Sequence, residues 1–173
     1  MFVIMSNLLK IFTMTEKRFA LIKTKLSNFK VEYSDVNGTP QLIVNKDEVV
    51  DVCRILKKDE ELSFDLMIDE FGVDRFQKQN RFEVICNIYS VNNKDRLFIR
   101  IKLDSKHPEM HTLSTVWKGA NWHEREAYDM FGITFINHPD LRRIYMPDEF
   151  EHYPLRKDFP LMGIRGSLRL PNK

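Results

Sequence analysis

The chain has 173 residues, 43% of them hydrophobic, and 27 Lys+Arg against 25 Asp+Glu for a formal net charge of +2. That length suits one domain, or one domain plus an extended arm, and the apolar content excludes global disorder. The even charge balance argues against a dedicated nucleic-acid binder, and two cysteines cannot furnish an iron–sulfur cluster, a Cys-only zinc site or a disulfide framework.

The N-terminal run from Met1 to Met14 is apolar but short and is interrupted by Lys10, so it does not read as a spanning helix. It lacks a basic start and a small-residue cleavage site, and an ordinary first helix fits it better than a signal or transit peptide. Thr13 and Glu16 have capping-box spacing, and Phe19, Ile22 and Leu26 then recur on one helical face. Lys30 to Ser34 and Gln41 to Asn45 read as two short strands around the turn Val36-Asn37-Gly38-Thr39. Asn45 and Glu48 repeat the cap spacing before a helix with Val49, Val52, Cys53 and Leu56 inward.

Three further strands follow. Ser63–Asp69 alternates through Phe64, Leu66 and Ile68, Arg81–Val91 through Phe82, Val84, Cys86 and Ile88, and Arg96–Leu103 through Leu97, Ile99, Ile101 and Leu103. Val91 to Asp95 supplies a turn between the last two. The alternation predicts a sheet with one face under helices and the other wet or against a partner. Leu113–Lys118 and Trp122–Met130 read as short helices separated by Gly119-Ala120-Asn121.

Residues 138–173 hold five of the seven prolines and show no helical or strand period. They also carry a dozen large apolar side chains, among them Ile144, Tyr145, Phe150, Leu155, Phe159 and Leu161, which a flexible tail normally lacks. Such an arm folds back on its own domain or buries its side chains in another protein, and the scarcity of regular structure favours the partner. The fold class expected is therefore α+β: a mainly antiparallel sheet with helices packed on one face, spanning 1–137 with an N-terminal helical segment over 1–30. An extended, proline-rich, partner-binding arm over 138–173 follows it.

Four groups of residues invite a chemical reading. His107 and His111 flank Glu109, but the glutamate does not directly follow the first histidine, and Pro108 disturbs the helix a zinc peptidase needs. A solvated loop before a helix is expected there. Gly163-Ile164-Arg165-Gly166 matches the GxxG of a single-stranded nucleic-acid clamp without the surrounding helices. Five basic residues and one acid between Arg156 and Lys173 suit electrostatic docking on an acidic protein surface. The densest pattern, Trp122 to Gly132, offers Glu124, Glu126 and Asp129 as acid–base groups or as structural ion-pair partners. Arg125 lies four residues before Asp129, Arg142 and Arg143 follow shortly after, and no nucleophile stands beside them, so the structural reading is the better one. At least one of Arg142 and Arg143 is expected to pair with Glu124, Glu126 or Asp129.

From residue 122 to 163 the chain resembles the 30-kilodalton subunit family of proton-pumping NADH:quinone oxidoreductase, respiratory complex I. The resemblance rests on Glu124-Arg125-Glu126, Asp129 with Met130-Phe131-Gly132, His138-Pro139-Asp140-Leu141-Arg142-Arg143, and Pro154-Leu155-Arg156-Lys157-Asp158-Phe159-Pro160-Leu161. The upstream Phe71-Gly72-Val73-Asp74 and Arg81-Phe82-Glu83-Val84 also fit. It implies a cofactor-free, non-catalytic α+β subunit of the peripheral arm of the complex, associated with the membrane only indirectly. Its place would be on the cytoplasmic face of a bacterial inner membrane or the matrix face of the mitochondrial one. NADH, FMN, iron–sulfur clusters and quinone would belong to partner subunits. The chief partner implied is the hydrogenase-large-subunit-like chain, the 49-kilodalton component. Glu124, Arg125, Glu126, Asp129, His138, Arg142, Arg143, Pro154, Arg156, Lys157, Phe159 and Pro160 are the structural and partner-binding residues it implies, with none catalytic, cofactor-binding or metal-binding. Competing readings are the same module in a related membrane-bound hydrogenase or other quinone dehydrogenase, a small metal-dependent hydrolase, and a basic RNA-binding module.

Overall fold

A computed structural model describes residues 14–164. Thr13, the apolar run before it, and Arg165 to Lys173 lie outside the described residues. Helix α1 (Glu16–Lys25) buries Ile22 and, just past its end, Leu26, with Phe19 half-buried beside them. The expected Thr13 cap cannot be placed, and Thr15 occupies the cap position without a side-chain bond.

Strands β1 (Val31–Val36) and β2 (Thr39–Val44) form an antiparallel hairpin. Its two turn residues, Asn37 (φ 52°) and Gly38 (φ 84°), are both left-handed, which matches the twist of a tight hairpin. Helix α2 (Val49–Lys58) buries Val49, Val52, Cys53 and Leu56, the stripe expected. Asn45 does not cap it. Its side chain accepts the Asp47 N–H at 3.1 Å in a turn, and Glu48 stands at the helix start with no side-chain bond.

Strand β3 runs over Leu66–Asp74, five residues beyond the expected end at Asp69. A bulge between Met67 and Asp69 leaves Ile68 without a cross-strand partner and turns the following residues over. Leu66 and Ile68 therefore face outward, while Met67, Glu70 and Asp74 face inward. Strands β4 (Phe82–Ser90) and β5 (Asp95–Leu103) pair antiparallel and bury the expected alternate residues.

The five strands order as β1-β2-β5-β4-β3. All pairings are antiparallel except β2 with β5, which is parallel, so the sheet is mixed although mainly antiparallel. Apolar side chains of α1 and α2 pack into the core on one face. The other, with Ile43, Ile85, Phe98 and Arg100, stays half-exposed.

A second, two-stranded parallel sheet joins β6 (Glu109–His111) to β7 (Thr134–Ile136). The His107–His111 stretch is thus partly a strand, with Met110 and Pro108 buried, rather than a solvated loop before a helix. Leu113 to Lys118 is a single turn, closed by Trp117 N–H to the Leu113 carbonyl at 2.9 Å, not a helix. Helix α3 (Ala120–Phe131) packs beside β3 and ends at Gly132, whose φ of 70° stops it in the left-handed conformation. Beyond β7 the described chain contains no helix or strand.

Candidate functional site

Residues 137–164 need something other than ladder hydrogen bonds to hold them, and two buried aspartates provide it. Asp129, on the inner face of α3, accepts the backbone N–H groups of Ile144, Tyr145 and Met146 on one carboxylate oxygen, at 3.0, 2.7 and 3.0 Å. Its other oxygen takes the Arg143 guanidinium at 2.7 Å. Burial alone would raise this carboxyl, but these four donors outweigh it and hold it below the usual carboxylate range. Arg143 also donates to the His152 carbonyl and lies over the rings of Tyr153 and Phe150.

Asp74, at the end of β3, is the second anchor. It binds Arg81 through two nitrogens at 3.0 and 2.7 Å and accepts the Lys157 N–H at 2.9 Å. Burial pushes its carboxyl up, yet Arg81 and the Lys157 and Phe76 N–H groups bring it down to about 2. Arg81 reaches on to Asp158 at 2.9 Å, so one guanidinium ties β3 to the arm.

Between the anchors, Arg156 donates to the Phe131 carbonyl at 2.6 Å and stacks over Tyr153 and Phe82. The Leu155 N–H bonds the Met130 carbonyl. Gly132 makes this possible: a Cβ there would lie 2.5 Å from the Arg156 guanidinium and 2.6 Å from the Tyr153 ring. Phe150 is buried, and Phe159 rests against Phe150 and His152.

The residues singled out from the sequence separate into three groups. Asp129, Arg143 and the backbone of Lys157 form the anchors, and Arg143 with Asp129 is the arginine–carboxylate pair expected. Glu124 is fully buried but faces the opposite way, accepting the Thr112 hydroxyl and the Leu113 N–H, and His138 is buried nearby. Arg142 pairs with its neighbour Asp140, both exposed at the surface, rather than with α3. Arg125 does not pair with Asp129; its guanidinium donates to the Arg142 carbonyl and stacks on Trp122, because Arg143 already occupies the aspartate. Glu126 is exposed with no ion-pair partner among the described residues. Arg156, expected to face acidic groups on a partner, is instead turned inward by the Phe131 carbonyl. Pro154 is half-buried and Pro160 exposed, with the Gly163 N–H bonded to the Pro160 carbonyl. The arm as far as Phe159 therefore folds back on its own domain, contrary to the preference for a partner over this stretch. What it turns outward is apolar: Tyr145, Leu155, Leu161 and Met162 are all more than half exposed, Met162 by 98%.

Nothing in the sequence marks Asp74, Arg81, Tyr153 or Gly132 as one assembly, because they come from distant parts of the chain and meet only in the fold. The one available signal was that each falls within or beside the motifs that carry the resemblance. Among the described residues, no three His, Cys, Asp or Glu side chains are grouped to hold a metal ion, and no helix is long and apolar enough to cross a membrane.

Residues 42–165 match the family model described as the respiratory-chain NADH dehydrogenase, 30 Kd subunit. A C-type NADH-quinone oxidoreductase subunit of Geotalea uraniireducens is 45% identical over 152 residues, covering 87% of this chain and 92% of the relative. A second such C-type subunit, from Rhizobium meliloti, is 46% identical over 132 residues, covering 76% and 72%. Two solved structures share the fold. A trypsin-resistant fragment of Nqo5 superposes with a TM-score of 0.62 at 24% identity, over 72% of this chain and 99% of the fragment. A chain of the archaeal membrane-bound sulfane sulfur reductase, a respiratory membrane complex, does so with a TM-score of 0.72 at 23% identity, over 85% and 88%.

Proposed function

This chain belongs to the family of the respiratory-chain NADH dehydrogenase 30 Kd subunit, and from that premise we propose that it is a non-catalytic, cofactor-free structural subunit of the peripheral arm of NADH:quinone oxidoreductase. NADH, flavin, clusters and quinone are handled by its neighbours. Its own task is to dock on the hydrogenase-large-subunit-like chain, on the cytoplasmic face of a bacterial inner membrane or the corresponding matrix face.

The observation that carries this reading is the division of labour in the arm. Its charged groups are turned inward onto Asp74, Asp129 and the Phe131 carbonyl, while Tyr145, Leu155, Leu161 and Met162 are left in water. Fully burying such side chains yields about 1.5–3 kcal/mol each. An arm already fixed by two carboxylate anchors loses less conformational freedom on docking than a free tail would. Catalytic clefts are lined the other way, with polar groups converging on a cavity.

A titration of the purified chain against the hydrogenase-large-subunit-like chain tests the reading. The double variant Leu161→Ser/Met162→Ser keeps both anchors and should weaken binding by at least about tenfold. Unchanged affinity would place the docking surface elsewhere on the domain.

A further inference from the structure

The bulge at Ile68 turns Glu70 into the core. It is 2% exposed, sits opposite Cys86 on β4, and neither carboxylate oxygen has an N–H or O–H partner. No cation among the described residues pairs with it. The groups facing it are the Cys86 thiol from β4, a weak donor at best, the Cys53 thiol from α2, Glu124 from α3 and its β3 neighbour Asp69. Asp69 itself is at the surface, 3.4 Å from His123.

Glu124, 0% exposed, fares differently. The Thr112 hydroxyl and the Leu113 N–H donate to it, so it can carry a charge at moderate cost. His138 lies 3.6 Å away but is no counter-ion. Its Nδ1 accepts the Asp140 N–H at 3.0 Å and its Nε2 faces the Asn121 carbonyl at 3.1 Å, which fixes the neutral ring with hydrogen on Nε2. Two carboxyls thus share an interior, neither with a lysine or arginine partner among the described residues, and only one is well supplied with donors. An ionised carboxylate without partners in such a place is strongly disfavoured.

We propose that Glu70 and Glu124 form a buried proton-binding pair, with Glu70 held as the neutral acid, in the seam between β3 and α3. Burial and the neighbouring Glu124 both push the Glu70 carboxyl well up, and burial raises Glu124 to about 7 despite its donors. The seam is tight: a Cβ on Gly72 would lie 2.7 Å from the Phe131 ring. Both arm anchors project from it, Asp74 on β3 and Asp129 on α3.

The folded chain then holds more protons here than the unfolded chain, whose glutamates titrate at about 4.3. Its folding equilibrium constant falls as pH rises, about tenfold per pH unit for each extra proton. Denaturant unfolding of the full chain at several pH values between about 5.5 and 8 measures that slope for the wild type and for Glu70→Gln. The variant, which keeps the shape without the acid, should lose about one proton from the slope. Infrared spectra of the wild type at about pH 7.5, three units above the ordinary glutamate value, should retain the carbonyl stretch of a protonated carboxylic acid. Equal slopes in the two proteins would overturn the proposal. So would the absence of that acid band, which needs no variant and reads instead as an ionised Glu70 neutralised by a bound cation.

Discussion

Asp129 collects three consecutive backbone N–H groups and a guanidinium, so its replacement leaves several buried donors unanswered at once. Asp129→Asn keeps the size but presents an amide N–H₂ where donors already converge. Breaking a buried pair from one side costs about 3–5 kcal/mol, and the stability of this variant should fall by that amount, read from a lower denaturation midpoint with little change in slope. Arg142→Gln is the control. Arg142 pairs only with Asp140 at the surface, and its loss should leave the midpoint unchanged. The same carboxylates set an acid limit. Both Asp74 and Asp129 are depressed in the folded chain, so their contribution is complete above the ordinary aspartate value of about 3.9 and is lost as pH falls through their folded values. With Asp74 at about 2, its share is roughly 2 kcal/mol, lost between about pH 4 and pH 2. An acid unfolding series should show Asp74→Asn less sensitive than wild type over that interval. At this scale the sequence revealed the pairing of Arg143 with Asp129, since an arginine just beyond an acidic helix has few other uses. It did not reveal the inward turn of Arg156, because a main-chain carbonyl leaves no side-chain signature.

Among the elements, those with long apolar periods were legible: α2 and the β4–β5 hairpin are where the alternation put them. Strand β3 was not, because a single bulge at Ile68 reverses the pattern partway and hides its last five residues. Strands β6 and β7 are three residues each, too short for any period, and pair only because the chain between them returns. Two glycines that look ordinary in sequence carry the junctions. Gly132→Ala must place a side chain in a left-handed conformation and against Arg156 and Tyr153; about 1–2 kcal/mol of strain plus about 1–3 of overpacking is expected. Gly72→Ala meets only the ends of Phe131 and Ile133 and should cost about 1–3 kcal/mol. Hydrogen exchange separates the two. Gly132→Ala should deprotect the amides of Leu155 and Lys157, which the arm bonds to Met130 and Asp74, more than it affects β4 and β5. Uniform loss across the sheet would mean that the arm and domain open as one unit.

For the whole molecule, the structure changes how the arm should be tested. Cutting the chain before Tyr145 would remove two of the three N–H donors of Asp129 and the buried Phe150, so a truncated chain would lose stability as well as its outer surface. Substitutions at Leu161 and Met162 avoid this, being exposed and absent from both anchors. The direct measurement is made in cells whose only copy of this protein carries Leu161→Ser/Met162→Ser, by quantifying the assembled oxidoreductase and its NADH:quinone turnover per assembled complex. A docking role predicts less assembled complex, with turnover per complex equal to wild type. Normal assembly with slowed turnover would contradict it and give these residues a part in the reaction itself.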